Sequence, residues 1–555
     1  MADAFNLADY YLFDRLSEGL GDKDAVLFGA ERHTYAGVAE RARRLQRFFA
    51  ARGVRREERV LTILHDTPAF VWSFFATLHH GAVVAMGNPD APQPDLEHLV
   101  EYTRATAVVT IPRVAAALAP LLAAADLRAL VLVPEVATGG DVLGSVDVGE
   151  LRSLDAVVLA DALTTGHELI DSAEHAPRRT AADDVAIWLF TSGSTGKSKA
   201  NVHAHKDFAF NTERYAKRTV GYRRDDVTVS VPRLFFGYAT GTNLMFPFAV
   251  GATTALFAER PTPESLTAAI ERHRPTIVTN VPTMMSKLLD HDAKRTREGG
   301  APLDLSSVRF HLSAGEALPE ALLVRFRERF GGDVYDGIGS AEMFHIYASN
   351  RPGDIKPGSL GKVVEGYEIR ILSSDAEAPG APELPRGETG VMWVKGDSAA
   401  MGYFQDREKS FRTFFGPWCR TGDLFRIDEA GYLWFSGRAD DLLKVSGVWV
   451  APIEVEECLL AHPAVALAAV IGVEEEGLMK VKAFVVPSDA ARGRVASEPA
   501  ALADELKAHV QSRLTKHKYP RFVVFVDDVP KNDRGKVDKK TLRERERAGE
   551  NPRGH

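Results

Sequence analysis

The chain has 555 residues, 45% apolar and 26% charged, with a formal net charge of -8. This composition supports a large core, and the negative balance argues against a nucleic-acid binder held by phosphate contacts. The only two cysteines, Cys419 and Cys458, exclude a disulfide framework and a cysteine-based zinc site, and they fit a reducing compartment.

The length allows about three or four domain-sized units. Met1 to Phe5 lacks the basic start of a secretion signal. The most apolar stretch, Phe70 to Met86, is broken by His79-His80-Gly81 and is too short to span a bilayer. The expectation is a cytoplasmic protein with no membrane span.

In chain order, Val60 to Leu64, Ala82 to Ala85, Ala107 to Thr110 and Ala129 to Val133 read as strands. Helical patterns Ala36 to Ala51 and Thr67 to Leu78 lie among them. Residues 135 to 184 break the rhythm and read as a surface excursion. Val185 to Phe190 is a buried strand, and the alternation resumes at Val227 to Val231, Thr253 to Phe257, Thr276 to Thr279 and Val308 to Ser313. This is the pattern of an α/β fold with mostly parallel, helix-covered sheets.

A Pro- and Gly-rich segment, Ala376 to Gly390, precedes closely spaced strands at Val391 to Lys395, Leu424 to Ile427 and Tyr432 to Phe435. These predict a small antiparallel or barrel-like β subdomain, about 360–437, closing a large N-terminal domain 1–437. A small α+β C-terminal domain, 438–555, contains Val465 to Val473, Lys480 to Val486 and a helix from Leu502 to Leu514. Its end, Arg543 to His555, reads as frayed and without function.

The buried strand Val185 to Phe190 opens into Thr191-Ser192-Gly193-Ser194-Thr195-Gly196-Lys197-Ser198-Lys199. Glycines bring backbone N–H groups close to an anion, hydroxyls donate further bonds and lysines supply charge, so the loop suits phosphate. The P-loop pattern G-x-x-x-x-G-K-[ST] fails because position 191 is Thr191, not glycine. Further motif-like loops follow: Ser313 to Pro319, Asp336 to Met343, Trp418 to Asp423, Gly437 to Gly447 and Pro530 to Val537. Ligands of open α/β sheets bind at the carboxyl ends of strands, where such loops gather. Singly each has a plainer reading: a Gly-Asp turn, a solvated Glu342, a tail charge at Lys536.

Taken in order, from roughly residue 30 to residue 540, the set resembles the adenylate-forming superfamily of acyl- and aryl-CoA ligases. Leu234-Phe235-Phe236-Gly237-Tyr238, Ser313 to Pro319 and Gly337-Ile338-Gly339-Ser340 look most like its bacterial benzoate-CoA ligase branch, which includes 2-aminobenzoate activators. The resemblance implies an acid-thiol ligase using ATP, Mg²⁺ and CoA. A carboxylate attacks the α-phosphate to give an aryl-adenylate, and a thiol then displaces AMP. Thr191, Ser192, Gly193, Ser194, Thr195, Gly196 and Lys199 would wrap the terminal phosphates, and Glu342 would hold Mg²⁺. Gly315, Glu316 and Ala317 would line adenine, with Asp336, Gly337 and Ile338 alongside. Asp423, as an unpaired carboxylate, would take the ribose hydroxyls, and Arg438 the ribose and phosphate. Lys536 would bridge the acid and the α-phosphate from a mobile C-terminal domain hinged at Asp440. Phe236, Gly237 and Tyr238 would form one wall of the acid pocket, with Gly339 and His345 opposite. The two small glycines would leave room for a flat ring. His345 either contacts the carboxylate or is structural. Phe235 reads as core, and His205 as orienting the phosphate-loop region. Lys444, Ser446 and Gly447 would line the CoA tunnel.

Three departures from that pattern stand out, one being Ile338 where an adenine-stacking aromatic is common, which leaves open what stacks on the purine. Ser198-Lys199-Ala200 replaces Pro-Lys-Gly, and Ala341 stands where the family has a threonine that contacts the α-phosphate; Ser340 or a water could substitute. The implied partners are an aromatic carboxylate, ATP and CoA, with a homodimer allowed. Two alternatives remain open: delivery of the acyl group to a carrier-protein thiol, and a nucleotide-binding protein without ligase activity. A P-loop phosphotransferase ranks last.

Overall fold

A computed structural model describes residues 4–552 except 178, 193–196, 317, 439–440, 446–447, 476 and 532–536. Two large sheets dominate. In the first, Val185–Ser192 runs parallel to Val83–Gly87, and beyond it lie Arg59–Ile63, Ala107–Thr110, Ala129–Leu132 and Ala156–Val158, all parallel. On its other side Val185–Ser192 pairs antiparallel with Ser198–Ala204, and Gly402–Tyr403 closes that edge. The second sheet has nine strands. Its parallel centre, Thr253–Leu256, Val227–Ser230, Ile277–Asn280, Phe310–Ser313 and Asp333–Gly339, turns antiparallel at Ile346–Ser349.

The layer between the sheets explains the helix Pro68–His80. All of its residues are buried except His79. A helix apolar all round has no solvent face, so it must be enclosed. Phe75 meets Phe248, from the second sheet's side, with ring centroids 5.1 Å apart. A single core cluster therefore runs through both sheets.

Residues 135–184 are more than a surface excursion. Ala156–Val158 extends the first sheet, and Leu159–Glu168 buries Leu159, Ala162 and Leu163. Gly166 sits where a Cβ would fall 1.8 Å from the Arg44 carbonyl, so this helix packs directly on Tyr35–Ala51.

Glu368–Leu372, Gly390–Lys395, Phe414–Phe415, Trp418–Ile427 and Leu433–Arg438 form an antiparallel five-stranded sheet. Trp418 to Asp423 is thus strand rather than a loop after one. Beyond it, Val465–Glu475, Leu478–Pro487 and Phe522–Phe525 form a separate sheet with its own apolar cluster. Among the described residues no helix is long and apolar enough to cross a membrane.

Up to Pro552 the terminal segment is packed rather than frayed. Helix Lys539–Arg547 buries Leu542, and the Lys482 ammonium, 2% exposed, is held by Glu546 at 2.8 Å and by the Pro552 carbonyl at 2.7 Å. Glu546→Ala leaves that ammonium underpaired and should cost about 2 kcal/mol, because a buried charge loses its partner. Adding Lys482→Met should restore most of the loss, read from unfolding midpoints; an unchanged single variant would contradict the assignment.

Candidate active site

The strands Val185–Ser192 and Ser198–Ala204 form a hairpin in register Thr191 with Lys199 and Ser192 with Ser198. Its tip is the glycine-hydroxyl loop, of which Gly193, Ser194, Thr195 and Gly196 lie outside the described residues. A strand-to-strand return differs from the strand-to-helix turn of P-loop enzymes. Lys199 pairs with Asp406, the N-cap of helix Arg407–Thr413.

Glu342 lies on a 3₁₀ turn, Ala341–Met343, and several segments hold that turn. His203 Nε2 donates to the Ala341 carbonyl at 2.7 Å, and its Nδ1 meets Asp207 at 2.9 Å. The Ala400 N–H donates to the Glu342 carbonyl at 2.8 Å, and the Tyr403 hydroxyl donates to Glu342 Oε1 at 2.8 Å. The next residue, Phe344, takes φ of +66°, a strained value for a bulky side chain. Glu342 is therefore a fixed carboxylate, not a solvated one. Mg²⁺ is commonly held by one or two carboxylates plus substrate phosphates, and this single positioned group fits that requirement. Sequence reasoning missed Tyr403 and the His203–Asp207 pair. Their only sequence signal is Asp207 at the start of a helix that follows the hairpin.

His205, directly after the hairpin strand Ser198–Ala204, contacts the N-terminal segment. Its Nδ1 accepts from the Leu7 N–H at 3.2 Å, and burial pushes its pKa down to about 4, so it anchors the N-terminal segment as a neutral ring.

On the second sheet, Ser313 and Asp336 are register partners at neighbouring strand ends. Asp336 is 5% exposed and its Oδ1 has no hydrogen-bond partner among the described residues. Desolvation pushes its pKa up to about 8, against weaker opposing bonds from Ser313 and the Gly337 N–H. Glu316 is turned away: its carboxylate accepts from the Thr283 N–H at 3.1 Å and hydroxyl at 2.8 Å. Gly315 takes φ of +89°, and Ala317 is outside the described residues. Ile338 packs partly buried against the main core.

Gly337 and Gly339 owe their identity to backbone approach. A Cβ at Gly339 would lie 2.5 Å from the His345 carbonyl, and one at Gly337 2.8 Å from the Ala348 carbonyl. Gly339 is thus small because a neighbouring strand crosses it, not to admit a ring. Asp423 is also not the unpaired carboxylate expected, since its cross-strand partner Arg438 approaches to 3.7 Å.

Phe236, Gly237, Tyr238 and His345 lie near one another. Phe236, Gly237 and Tyr238 open a short helix, and a Cβ at Gly237 would lie 3.3 Å from Leu189 and 3.7 Å from the Phe344 carbonyl. Phe235 stacks on Phe236 at 4.6 Å and packs on the core. His345, 2% exposed, donates from Nε2 to the Tyr238 carbonyl at 3.0 Å, with the two rings 5.3 Å apart. Burial pushes its pKa down to about 3, so the ring is neutral and Nδ1 carries a lone pair. That nitrogen has no partner among the described residues, and neither does the buried Tyr238 hydroxyl. As an acceptor, His345 cannot donate to a carboxylate.

Lys444 is exposed on the hairpin Leu443–Val445 with Val448–Val450; Ser446 and Gly447 between them lie outside the described residues, as do Asp440 and Lys536. The residues flanking 532–536 are placed: Lys531 bridges Val537, and Asp528 feels the charge of Lys287. Lys287 lies on Pro282–Arg297, the helix whose first turn anchors Glu316.

Residues 13–404 match the family described as AMP-binding enzyme, and residues 454–536 match its C-terminal domain. The chain belongs to the AMP-binding enzyme family. A benzoate–CoA ligase of Thauera aromatica is 39% identical over 543 residues, covering 98% of this chain and 96% of the relative. Among solved structures, the anthranilate CoA ligase AuaEII in complex with anthranoyl-AMP superposes with a TM-score of 0.84 at 31% identity, over 98% of each chain. A benzoate CoA ligase from Burkholderia xenovorans LB400 superposes at 0.81 with 36% identity, over 97% of this chain and 100% of that one. The relatives match the benzoate-CoA ligase branch.

In this AMP-binding enzyme the buried Asp336 makes stability depend on pH. An aspartic acid in an unfolded chain ionises near pH 4. Here it keeps its proton to about pH 8, so between those values the folded state binds more protons. Its contribution is full below about pH 4 and is lost as pH rises toward 8. Asp336→Asn should flatten that decline: its thermal midpoint should fall less than the parent's between about pH 5 and about pH 8, the gap in slope closing near pH 4. Parallel profiles would show that Asp336 ionises normally.

Proposed function

We propose that the protein is an ATP- and Mg²⁺-dependent aryl-CoA ligase acting on benzoate or an ortho-substituted benzoate such as 2-aminobenzoate. One observation carries this reading. Gly237 lies so close to Leu189, on the hairpin strand, and to the Phe344 carbonyl, just past the Glu342 turn, that an added Cβ would fall 3.3 Å from the first and 3.7 Å from the second. An aromatic acid lying against Phe236 and Tyr238 therefore sits beside the place where a nucleotide's phosphates are held.

A carboxylate resists thiol attack because it is charged and oxide leaves poorly. Attack of the acid on the α-phosphate of ATP breaks the α–β anhydride bond and expels pyrophosphate, so that AMP replaces oxide as the group the thiol later displaces; the work left to the protein is mostly positioning and charge stabilisation. The hairpin and Lys199 hold the terminal phosphates. Glu342 holds Mg²⁺, which when bound neutralises phosphate charge. Asp423 and Arg438 meet the ribose as a pair whose exposed arginine can swing between carboxylate and phosphate. Asp336 faces the purine as a neutral acid. The neutral His345, with its lone pair in an aromatic setting, suits a ring amino donor better than a carboxylate, consistent with an ortho-amino acid among the substrates. Lys536 stabilises the charge that builds between acid and α-phosphate, and its domain then turns so that CoA enters past Lys444.

Pyrophosphate release screened over benzoate, aminobenzoates, hydroxybenzoates, cinnamates and medium-chain fatty acids should peak with an unsubstituted or ortho-substituted benzoate. Release with no aromatic acid would overturn the reading. Lys536→Ala should lower aryl-adenylate formation by at least about 10²-fold while sparing thioester formation from supplied aryl-adenylate. Equal loss of both steps would refute its assigned role.

A further inference from the structure

Two ammonium groups lie over one tyrosine ring at the edge of the phosphate hairpin. Lys199 Nζ is 5.9 Å and Lys409 Nζ 5.5 Å from the Tyr403 centroid, while the Tyr403 hydroxyl is committed to Glu342. The strand Gly402–Tyr403 pairs directly with Ser198–Ala204, so this tyrosine is fixed relative to the hairpin. Asp406 neutralises Lys199, and its other oxygen accepts the Lys409 backbone N–H at 3.2 Å. The Lys409 side chain is half-buried, is repelled by Lys199, and is attracted by Glu342 and Asp406 only through space. A solvated surface lysine would turn outward from a second cation. This one is held beside it, next to a carboxylate suited to Mg²⁺. Lys409 makes no ion pair among the described residues, so its ammonium is available to a polyanion that brings a divalent metal to Glu342.

We propose that Lys409 is a further ligand of the terminal phosphates of ATP, with Tyr403 positioning it and Glu342 around one site. The proposal rests on the reading of the hairpin as the ATP phosphate site. It predicts discrimination between nucleotides, because AMP lacks the phosphates that Lys409 reaches. Losing one charge-assisted bond weakens binding about tenfold at the low end.

The test is equilibrium titration of the full-length protein with Mg-ATP and with AMP, without acid or CoA. Lys409→Met should weaken ATP about tenfold and leave AMP within about twofold, and Lys409→Arg should recover most of the ATP affinity. In pyrophosphate exchange the same variant should raise the KM for pyrophosphate and leave that for the acid unchanged. ATP affinity within twofold of the parent, or equal weakening of ATP and AMP, would overturn the proposal. A parent protein that binds ATP but releases no pyrophosphate with any aromatic acid would overturn the ligase reading alone. A parent that binds neither nucleotide would overturn both.

Discussion

Four hydrogen bonds from two separate segments converge on the turn Ala341–Met343: one from His203, and three from Ser398 Oγ, the Ala400 N–H and the Tyr403 hydroxyl. None of these donors is a neighbour of Glu342 in sequence. They bring together the hairpin arm, the strand that closes the first sheet, and the antiparallel end of the second sheet. A strained Phe344 follows immediately, and strain of that kind persists only where surrounding contacts over-determine the backbone. The position of one carboxylate is thereby tied to the position of the phosphate hairpin, and the aromatic wall inherits that frame through Gly237.

The groups around this frame are dry and mostly neutral. His345 is held neutral, the Tyr238 hydroxyl is pushed well above its usual range, and Asp336 keeps its proton, all because burial penalises their charged forms. In such surroundings an incoming ionic group feels the few remaining charges more strongly than it would in water. The charged groups Lys199, Asp406, Lys409 and Glu342 cluster beside the hairpin, while the aromatic groups Phe236 and Tyr238 and the neutral His345 carry no charge. That division suits a reaction in which a triphosphate must be gripped and a flat organic acid only oriented.

Local patterns made much of this legible. Ala107–Thr110 coincides with its predicted limits, and most other strands fall within one or two residues, because buried parallel strands are short unbroken apolar runs. The glycine-hydroxyl loop, Glu342 and Phe236 to Tyr238 could be singled out as candidates because backbone-built ligand sites demand glycine and hydroxyl spacing. What escaped depends on pairing between distant segments. Nothing near Tyr403 in sequence says that its hydroxyl meets Glu342, sixty-one positions away. Arg438 opposes Asp423 only through strand register, and Gly339 faces a carbonyl rather than a ring only because of how Ile346–Ser349 crosses it. Ala156–Val158 was missed because a three-residue edge strand carries almost no periodicity. The tail was missed because the lysine that needs it, Lys482, lies in another strand.

Ala341 removes a hydroxyl from the turn, yet the turn's backbone is held by hydrogen bonds from His203 and Ala400. Its carbonyl is already bonded to His203, so the donor role of a side chain here and the anchoring role of the backbone are separate. The adjoining Ser340 lies beside Tyr347, one residue before the place of the family's threonine, so the lack of a side-chain hydroxyl at position 341 leaves the backbone anchor of Glu342 intact.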